Sequence, residues 1–364
     1  MIGTTNYELT NKGIKTIAEL EAAYYGGNSV TKADDPLLTS TTGVNNDIFG
    51  AEVWNQLNEK AKTWGILPKK PYTKAGFRVK TARGVTLGAG GVSENGTIPD
   101  TVKPTYVKLA LTLKHVWHGY DGSTLKELRT PGNDDIGLDQ VKLDIGEEHV
   151  RSINAMLLVE TDTLAGDNFE SIDRVCSNSA ESAGLSAPSD NDIYGFDRSA
   201  STGLDAYVKD MASAAITKAE INLAIRTIEQ NSGERPNVIL TGYDTANDIE
   251  ALFEAQGRMT YERVKTGVNG IETGAGNDVM LEVAMIKGIP MITDDAVHQD
   301  TKSRIYFLNT NYLWFEVARP TANFETTMDQ MILLGRLGVE GGFMTAGELK
   351  CVRFSAQGKI KNII

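Results

Sequence analysis

Cysteine is nearly missing from this chain, with two residues, Cys176 and Cys351, in 364. Two cannot build a disulfide framework or a zinc set, so the fold must be held by burial; both are read as free thiols, with a single pairing between them left open. Histidine is scarce as well, at four residues, which limits acid–base and metal chemistry. No segment approaches the ~18 apolar residues of a membrane span. The opening MIGTTNYELTNKG has no apolar run behind a basic tip, so synthesis in a cytoplasm is expected. Positive charge is in deficit, with 36 Lys and Arg against 48 Asp and Glu and a net charge of −12. That balance argues against a dedicated nucleic-acid or anionic-membrane surface.

Catalytic signatures are equally thin. His115 and His118 are the closest histidine pair, but three residues apart on a strand they face opposite ways and cannot share a metal. His149 lies on the long helix between Glu148 and Val150 and is read as a flank or interface residue, with a pH-sensitive contact as the alternative. Gly88-Ala89-Gly90-Gly91 lacks the strand–loop–helix setting of a phosphate cradle and is read as a loop tip, and Gly274-Ala275-Gly276 fails the same test. Asp190-Asn191-Asp192 begins like a calcium loop, yet Tyr194 and Ser201 stand where ligands are needed. Asp294-Asp295 reads as a turn, and no nucleophile elbow is present. No catalytic, cofactor-binding or metal-ligating residue is therefore assigned, and the chain is not expected to be an enzyme.

What is present is the material of a folded protein, 41% hydrophobic and 23% charged, long enough for two or three domains. The dominant element is Leu138–Thr161, LDQVKLDIGEEHVRSINAMLLVET. Its apolar residues Leu138, Val141, Ile145, Ile153, Met156 and Leu157 recur at helical spacing, with charged residues opposite. Such a helix would be roughly 36 Å long at 1.5 Å per residue. Gly146 interrupts it at a cost of about 1 kcal/mol relative to Ala and is read as a bend point.

Ahead of that helix, residues 1–46 are rich in turn formers and cannot stabilise themselves. Phe49–Ile66 reads as a helix ended by Gly65 and Pro68. Residues 76–117 hold two alternating runs, one at Phe77–Ala82 and one at Thr105–Lys114, joined through a tip carrying Gly84, Gly88, Gly90, Gly91 and Gly96. A lone strand pair is marginal in water, so this excursion needs a surface from outside itself. After the helix, residues 162–204 read as polar surface loops. An alternating region follows: helix Thr217–Asn231, strand Pro236–Leu240, helix Thr245–Gln256, strands Val279–Ile286 and Pro290–Ile292 about Lys287-Gly288, and a hairpin of Arg304–Leu308 with Tyr312–Val317. The tail reads as strands at Thr326–Val339 and Glu348–Phe354.

This order resembles the major capsid protein of tailed phages and related archaeal viruses, a fold shared with encapsulins. The resemblance rests on an N-terminal arm, a glycine-tipped loop ending in ENGTIPD (Glu94–Asp100) and KLALTLK (Lys108–Lys114), a long helix, and an α/β region with KGIPMITDD (Lys287–Asp295) before RIYFLNTNYLWFEV. It implies an α+β capsid fold: arm at 1–47, peripheral domain at 48–75, 118–204 and 318–364 with its spine helix at 138–161, extended loop at 76–117, and axial domain at 205–317. It further implies self-assembly into pentamers and hexamers of an icosahedral virion shell, built in the host cytoplasm around double-stranded DNA without specific binding. Gly88, Gly90, Gly91 and Glu94 would touch neighbouring subunits. Portal, scaffolding and decoration proteins are the implied partners, and no membrane is involved. An encapsulin compartment is the alternative within the fold, and a cytosolic α/β enzyme built on 217–317 is the alternative outside it.

Overall fold

The computed structural model describes residues 61–84, 90–98, 100, 102–123, 138–161, 166–184, 192–200, 202–254, 260–264, 281–333, 335 and 337–364. The arm, most of the helix expected at Phe49–Ile66, Gly88 and the Gly274 run lie outside them. In chain order the elements are α1 Lys62–Ile66, β1 Lys69–Pro71, β2 Gly76–Ala82, β3 Thr105–Ala110, β4 Lys114–Ser123, α2 Leu138–Leu158, α3 Ile172–Val175, α4 Ser179–Ser182, β5 Asp192–Ile193, β6 Phe196–Asp197, β7 Tyr207–Ala214, α5 Lys218–Ser232, β8 Val238–Thr241, α6 Tyr243–Glu254, β9 Thr260–Val264, β10 Leu281–Ile286, β11 Ile289–Thr293, β12 Ile305–Leu308, β13 Leu313–Glu325, α7 Met328–Leu333, β14 Gly338–Cys351 and β15 Gly358–Ile363. They form a four-stranded sheet in the order β1-β13-β14-β4, a seven-stranded sheet in the order β7-β15-β12-β8-β11-β10-β9, and the separate pairs β2-β3 and β5-β6.

The chain divides into two compact units, and the described part of the smaller falls within His118–Gly146 and Asn323–Phe343. Here the strands approach closely enough to require glycine: a Cβ on Gly341 would stand 2.5 Å from the Tyr120 ring and 2.8 Å from the Phe324 carbonyl. The Tyr120 hydroxyl lies 2.9 Å from Asn323 Oδ1 and 3.1 Å from Glu325 Oε2, and Lys142 Nζ reaches Glu325 at 2.7 Å. The strand expected across Thr326–Val339 is instead interrupted by α7. Met328, Met331 and Ile332 stand at helical spacing, and the Thr327 N–H donates to Gln330 Oε1 at 3.0 Å, half of a capping box. Gly335, at φ 78°, follows the helix in the left-handed region before β14.

The larger unit takes Asn58–Trp117, Glu147–Ala322 and Met344–Ile364, and holds two cores. In the first, Ile153, Leu157 and Leu158 of α2 pack with Phe315, Leu349 and Cys351 of the four-stranded sheet, and Trp64 meets Phe315 edge-on at 4.8 Å. Residues 162–204, expected as surface loops, contribute to this core where they are described: Phe169, Ile172, Val175 and Cys176 are fully buried. The second core lies between the seven-stranded sheet and α5 and α6. Helix α5 behaves as its spacing predicts, burying Ile221, Ala224, Ile225 and Ile228, with Thr217 accepting from the Glu220 N–H at 3.3 Å and Gly233 at φ 80° ending it. Lys287-Gly288 makes the expected turn between β10 and β11, at φ 52° and 78°.

Strand β15 has no counterpart among the expected elements. It lies between β7, to which it is parallel, and β12, to which it is antiparallel. Its Lys359 is fully buried, with Nζ 3.0 Å from Asp173 Oδ1 and 2.8 Å from Glu181 Oε2. Asp173, on α3, also accepts from Arg304 Nη1 at 3.0 Å, from the Tyr306 hydroxyl at 3.0 Å and from Thr161 Oγ1 at 2.6 Å. Burial alone would raise the Asp173 carboxyl, but the Lys359 and Arg304 charges overcome it and hold it well below the usual carboxylate range. Removing one member of a buried ion pair strands its partner at a cost of about 3–5 kcal/mol. Lys359→Met is expected to lower the unfolding free energy by about that amount, measured by denaturant titration. Because the folded carboxyl is depressed, its contribution is present above the ordinary Asp value near ~4 and is lost as pH falls below it. Asp173→Asn should therefore be destabilised at neutral pH and lose less than the parent on acidification.

Candidate functional site

The two-stranded excursion is built as its alternation requires. Strands β2 and β3 run antiparallel with Phe77 opposite Leu109 and Val79 opposite Val107, and the register slips between Lys80 and Ala82. Packing against the core extends from the root as far as Val79 and Val107, which are partly buried. Leu109 and Leu111 are buried, Phe77 meets the Tyr194 ring at 5.5 Å, and the Ala110 N–H donates to the Tyr194 carbonyl at 2.9 Å. Tyr194 and Gly195 take the left-handed turn of the β5–β6 hairpin, at φ 51° and 73°. Of the rejected calcium motif, Asp192 opens β5 and so leads into this support, while Asp190 and Asn191 lie outside the described residues.

Further out, the connecting segment and the start of β3 expose apolar side chains: Val92 is 46%, Ile98 85%, Val102 60% and Tyr106 57% exposed. Gly90, at φ 125°, and Gly91 have no atom within 4 Å of a built Cβ, and Glu94 is exposed. The tip turns through a bond from the Gly96 N–H to the Ser93 carbonyl at 2.8 Å. Gly90, Gly91 and Glu94 therefore share one projecting stretch, and Gly88 lies outside the described residues.

A charged cluster sits at the foot of the loop, where β3 gives way to β4. Lys114 Nζ donates to the Asn168 carbonyl and lies 3.5 Å from Glu348 Oε2 on β14. Glu348 Oε1 accepts from the Glu170 N–H at 2.7 Å and the Leu349 N–H at 2.9 Å. Burial pushes the Glu348 carboxyl up to about 8; Lys114 pulls against it, while the nearby Glu170 charge adds to the rise. The folded state thus binds a proton that the unfolded chain, with Glu near ~4.3, releases earlier. Stability contributed here is full below the unfolded value and falls as pH rises toward 8. Comparing denaturant midpoints at pH 5 and pH 8, the parent should lose stability across that interval and Glu348→Gln should lose less.

Helix α2 is continuous through Gly146. The ring of Phe343 lies against it, 3.3 Å from where a Cβ would stand, so close packing gives the glycine a reason that spacing alone did not show. His149 is fully buried, with Nε2 2.8 Å from Thr345 Oγ1, and Thr345 Oγ1 is 2.7 Å from Thr321 Oγ1. This corrects the flank reading: a hydroxyl partner lets the imidazole enter the interior. His115 and His118 alternate in exposure along β4, as a strand dictates. Cys176 and Cys351 are both free and buried, and burial pushes the Cys351 thiol up to about 12. Asp294 and Asp295 do not act as a pair. Asp294 is buried, accepting from the Thr63 N–H at 2.9 Å, Thr63 Oγ1 at 2.6 Å and Asn154 Nδ2 at 3.0 Å, and so ties α1 to α2, while Asp295 is exposed.

No family model matches the sequence, and no curated protein matches it. Solved structures do. A chain of the cyanophage A-1(L) capsid asymmetric unit superposes with a TM-score of 0.62 at 15% identity, covering 89% of this chain and 98% of that one. A chain from the capsid of the native GTA particle gives a TM-score of 0.55 at 13% identity, covering 94% and 99%. One from the empty GTA particle gives 0.53 at 12%, covering 94% and 99%. Such low identities carry the fold across and leave the assignment of individual residues to the chemistry of this chain. With its long helix, projecting strand pair and mixed seven-stranded sheet, the chain has the tailed-phage major capsid fold, an α+β architecture.

Proposed function

We propose that this chain is a structural shell subunit, a major capsid protein that assembles with copies of itself into the pentamers and hexamers of an icosahedral virion shell. The observation that carries the reading is the exposure of Ile98, Val102 and Tyr106 along the segment that joins β2 to β3 and at the start of β3, on a chain with a capsid fold. Exposed apolar residues grouped on an extension are poorly accounted for in a free monomer and well accounted for as contacts with another copy. A further exposed apolar set lies at the end of α7 and just after it, where Leu333 is 87% and Leu337 75% exposed. In this reading Gly90, Gly91 and Glu94, together with Gly88, lie across a neighbouring subunit, and each contact is weak but repeated around the shell.

Double-stranded DNA is the proposed content. A net charge of −12 suits containment by the shell's geometry better than tight binding of the duplex. Assembly in a host cytoplasm, with portal, scaffolding or decoration proteins as partners, belongs to the same proposal.

Electron microscopy of the purified full-length chain, paired with its solution mass, tests this. Rings or closed particles are expected for the parent. Deletion of residues 88–96 should leave the far-ultraviolet dichroism and thermal transition of the subunit in place while abolishing particles. A parent that remains a monomer or small oligomer under all assembly conditions would overturn the reading. So would a deletion variant that forms particles in parental yield.

A further inference from the structure

We propose that Glu160, His298 and Asp300 form a binding site for one divalent transition cation, Zn2+ by preference, just beyond the C-terminal end of α2. His298 Nε2 lies 3.2 Å from Glu160 Oε2 and 3.6 Å from Asp300 Oδ1, and one ligand atom from each of the three residues falls within 4.8 Å of the others. A four-coordinate Zn2+ with nitrogen and oxygen ligands at about 2.0–2.2 Å needs neighbouring ligand atoms roughly 3.3–3.5 Å apart. Both separations from the imidazole bracket that distance, so small side-chain adjustments bring the atoms onto one ion. One imidazole with two carboxylates is a donor set for Zn2+ or Mn2+ rather than for the softer Cu+ or an all-oxygen Ca2+.

The atoms around the triad orient its ligands. Arg304 Nη2 contacts Glu160 Oε1, the oxygen turned away from His298, and meets Asp300 Oδ1 at 2.6 Å, while Arg304 Nε reaches Asp300 Oδ2 at 3.0 Å. The Asn362 N–H donates to the same Asp300 Oδ2 at 2.8 Å. Arg304 is fixed in turn by Asp173, so the guanidinium acts as the outer partner that metal-binding carboxylates commonly have. It offsets one of the two carboxylate charges and leaves the other for a cation. The remaining coordination positions have room: Glu160 and His298 line a cavity of about 320 Å³ together with Asp295 and Arg151, large enough for several waters. An ion here would tie the end of the long helix to the loop that leads into β12.

The purified full-length chain, stripped with chelator, is titrated with ZnCl2 by calorimetry and with CoCl2 by visible absorption. One Zn2+ per chain with micromolar or tighter affinity is expected, a thermal transition raised by several degrees at saturating zinc, and Co2+ d–d bands of a four- or five-coordinate site. His298→Ala and Glu160→Gln should each weaken binding at least tenfold and abolish the Co2+ bands. His115→Ala, at an exposed position of β4, should leave both unchanged. Should either site variant fail to fold, the parent's Co2+ spectrum and stoichiometry still decide the matter. The inference is overturned if the parent binds no stoichiometric zinc and shows no such bands, which would leave the triad as a contact between His298 and the two carboxylates. It is equally overturned if His298→Ala binds as the parent does.

Discussion

A two-stranded ribbon has one layer and two faces, and it can bury side chains only where something else supplies the second layer. In this chain that supply ends at Val79 and Val107. Tyr194 covers Phe77, Leu109 and Leu111 are enclosed, and beyond them Ile98, Val102 and Tyr106 stand in solvent. The proposed role in a shell rests on this unfinished burial. A body that projects an incomplete element at fixed geometry is suited to joining copies of itself.

Holding the ribbon at that geometry requires a stiff root, and the larger unit supplies one by burying hydrogen-bonded polar and ionisable groups as well as hydrocarbon. Lys114, Glu348 and Glu170 gather where the ribbon enters β4. Asp173 is met by Lys359 and Arg304, so that α3, β15 and the residues before β12 share one buried network. Asp294 ties α1 to α2 through Thr63 and Asn154. Such groups are costly to bury singly and specify one arrangement when fully paired, because any shift strands a charge. Assembly through weak repeated contacts benefits from subunits that do not deform.

Much of the architecture was legible because its signals are local. The spacing of Ile221, Ala224, Ile225 and Ile228 marks α5, the alternation on either side of the glycine-rich tip marks the β2–β3 pair, and the run from Leu138 marks α2. The less legible parts are those where tertiary pairing reverses the meaning of a residue. Lys359 falls outside every expected element and Asp173 lies in the stretch expected as surface loops, yet the two are fully buried together. His149 reads as a helix flank and lies in the interior against Thr345. In Thr326–Val339 the methionines and leucines fit a strand or a helix about equally over so short a span, and α7 forms there. The Glu160–His298–Asp300 grouping joins residues up to 140 positions apart and has no sequence signature. The glycines of the loop tip were legible as a tip, whereas the reason for Gly146, the Phe343 ring, was not.

Hydrogen exchange at residues 90–98, followed in dissociated subunits and in assembled material, reaches the central claim most directly. If order at the tip is borrowed from adjacent copies, its amides exchange within seconds in the free subunit and are protected by orders of magnitude after assembly, while those of α2 and β12 are protected in both. Tip amides protected equally in the free subunit would show the ribbon to be complete in itself, contradicting the account.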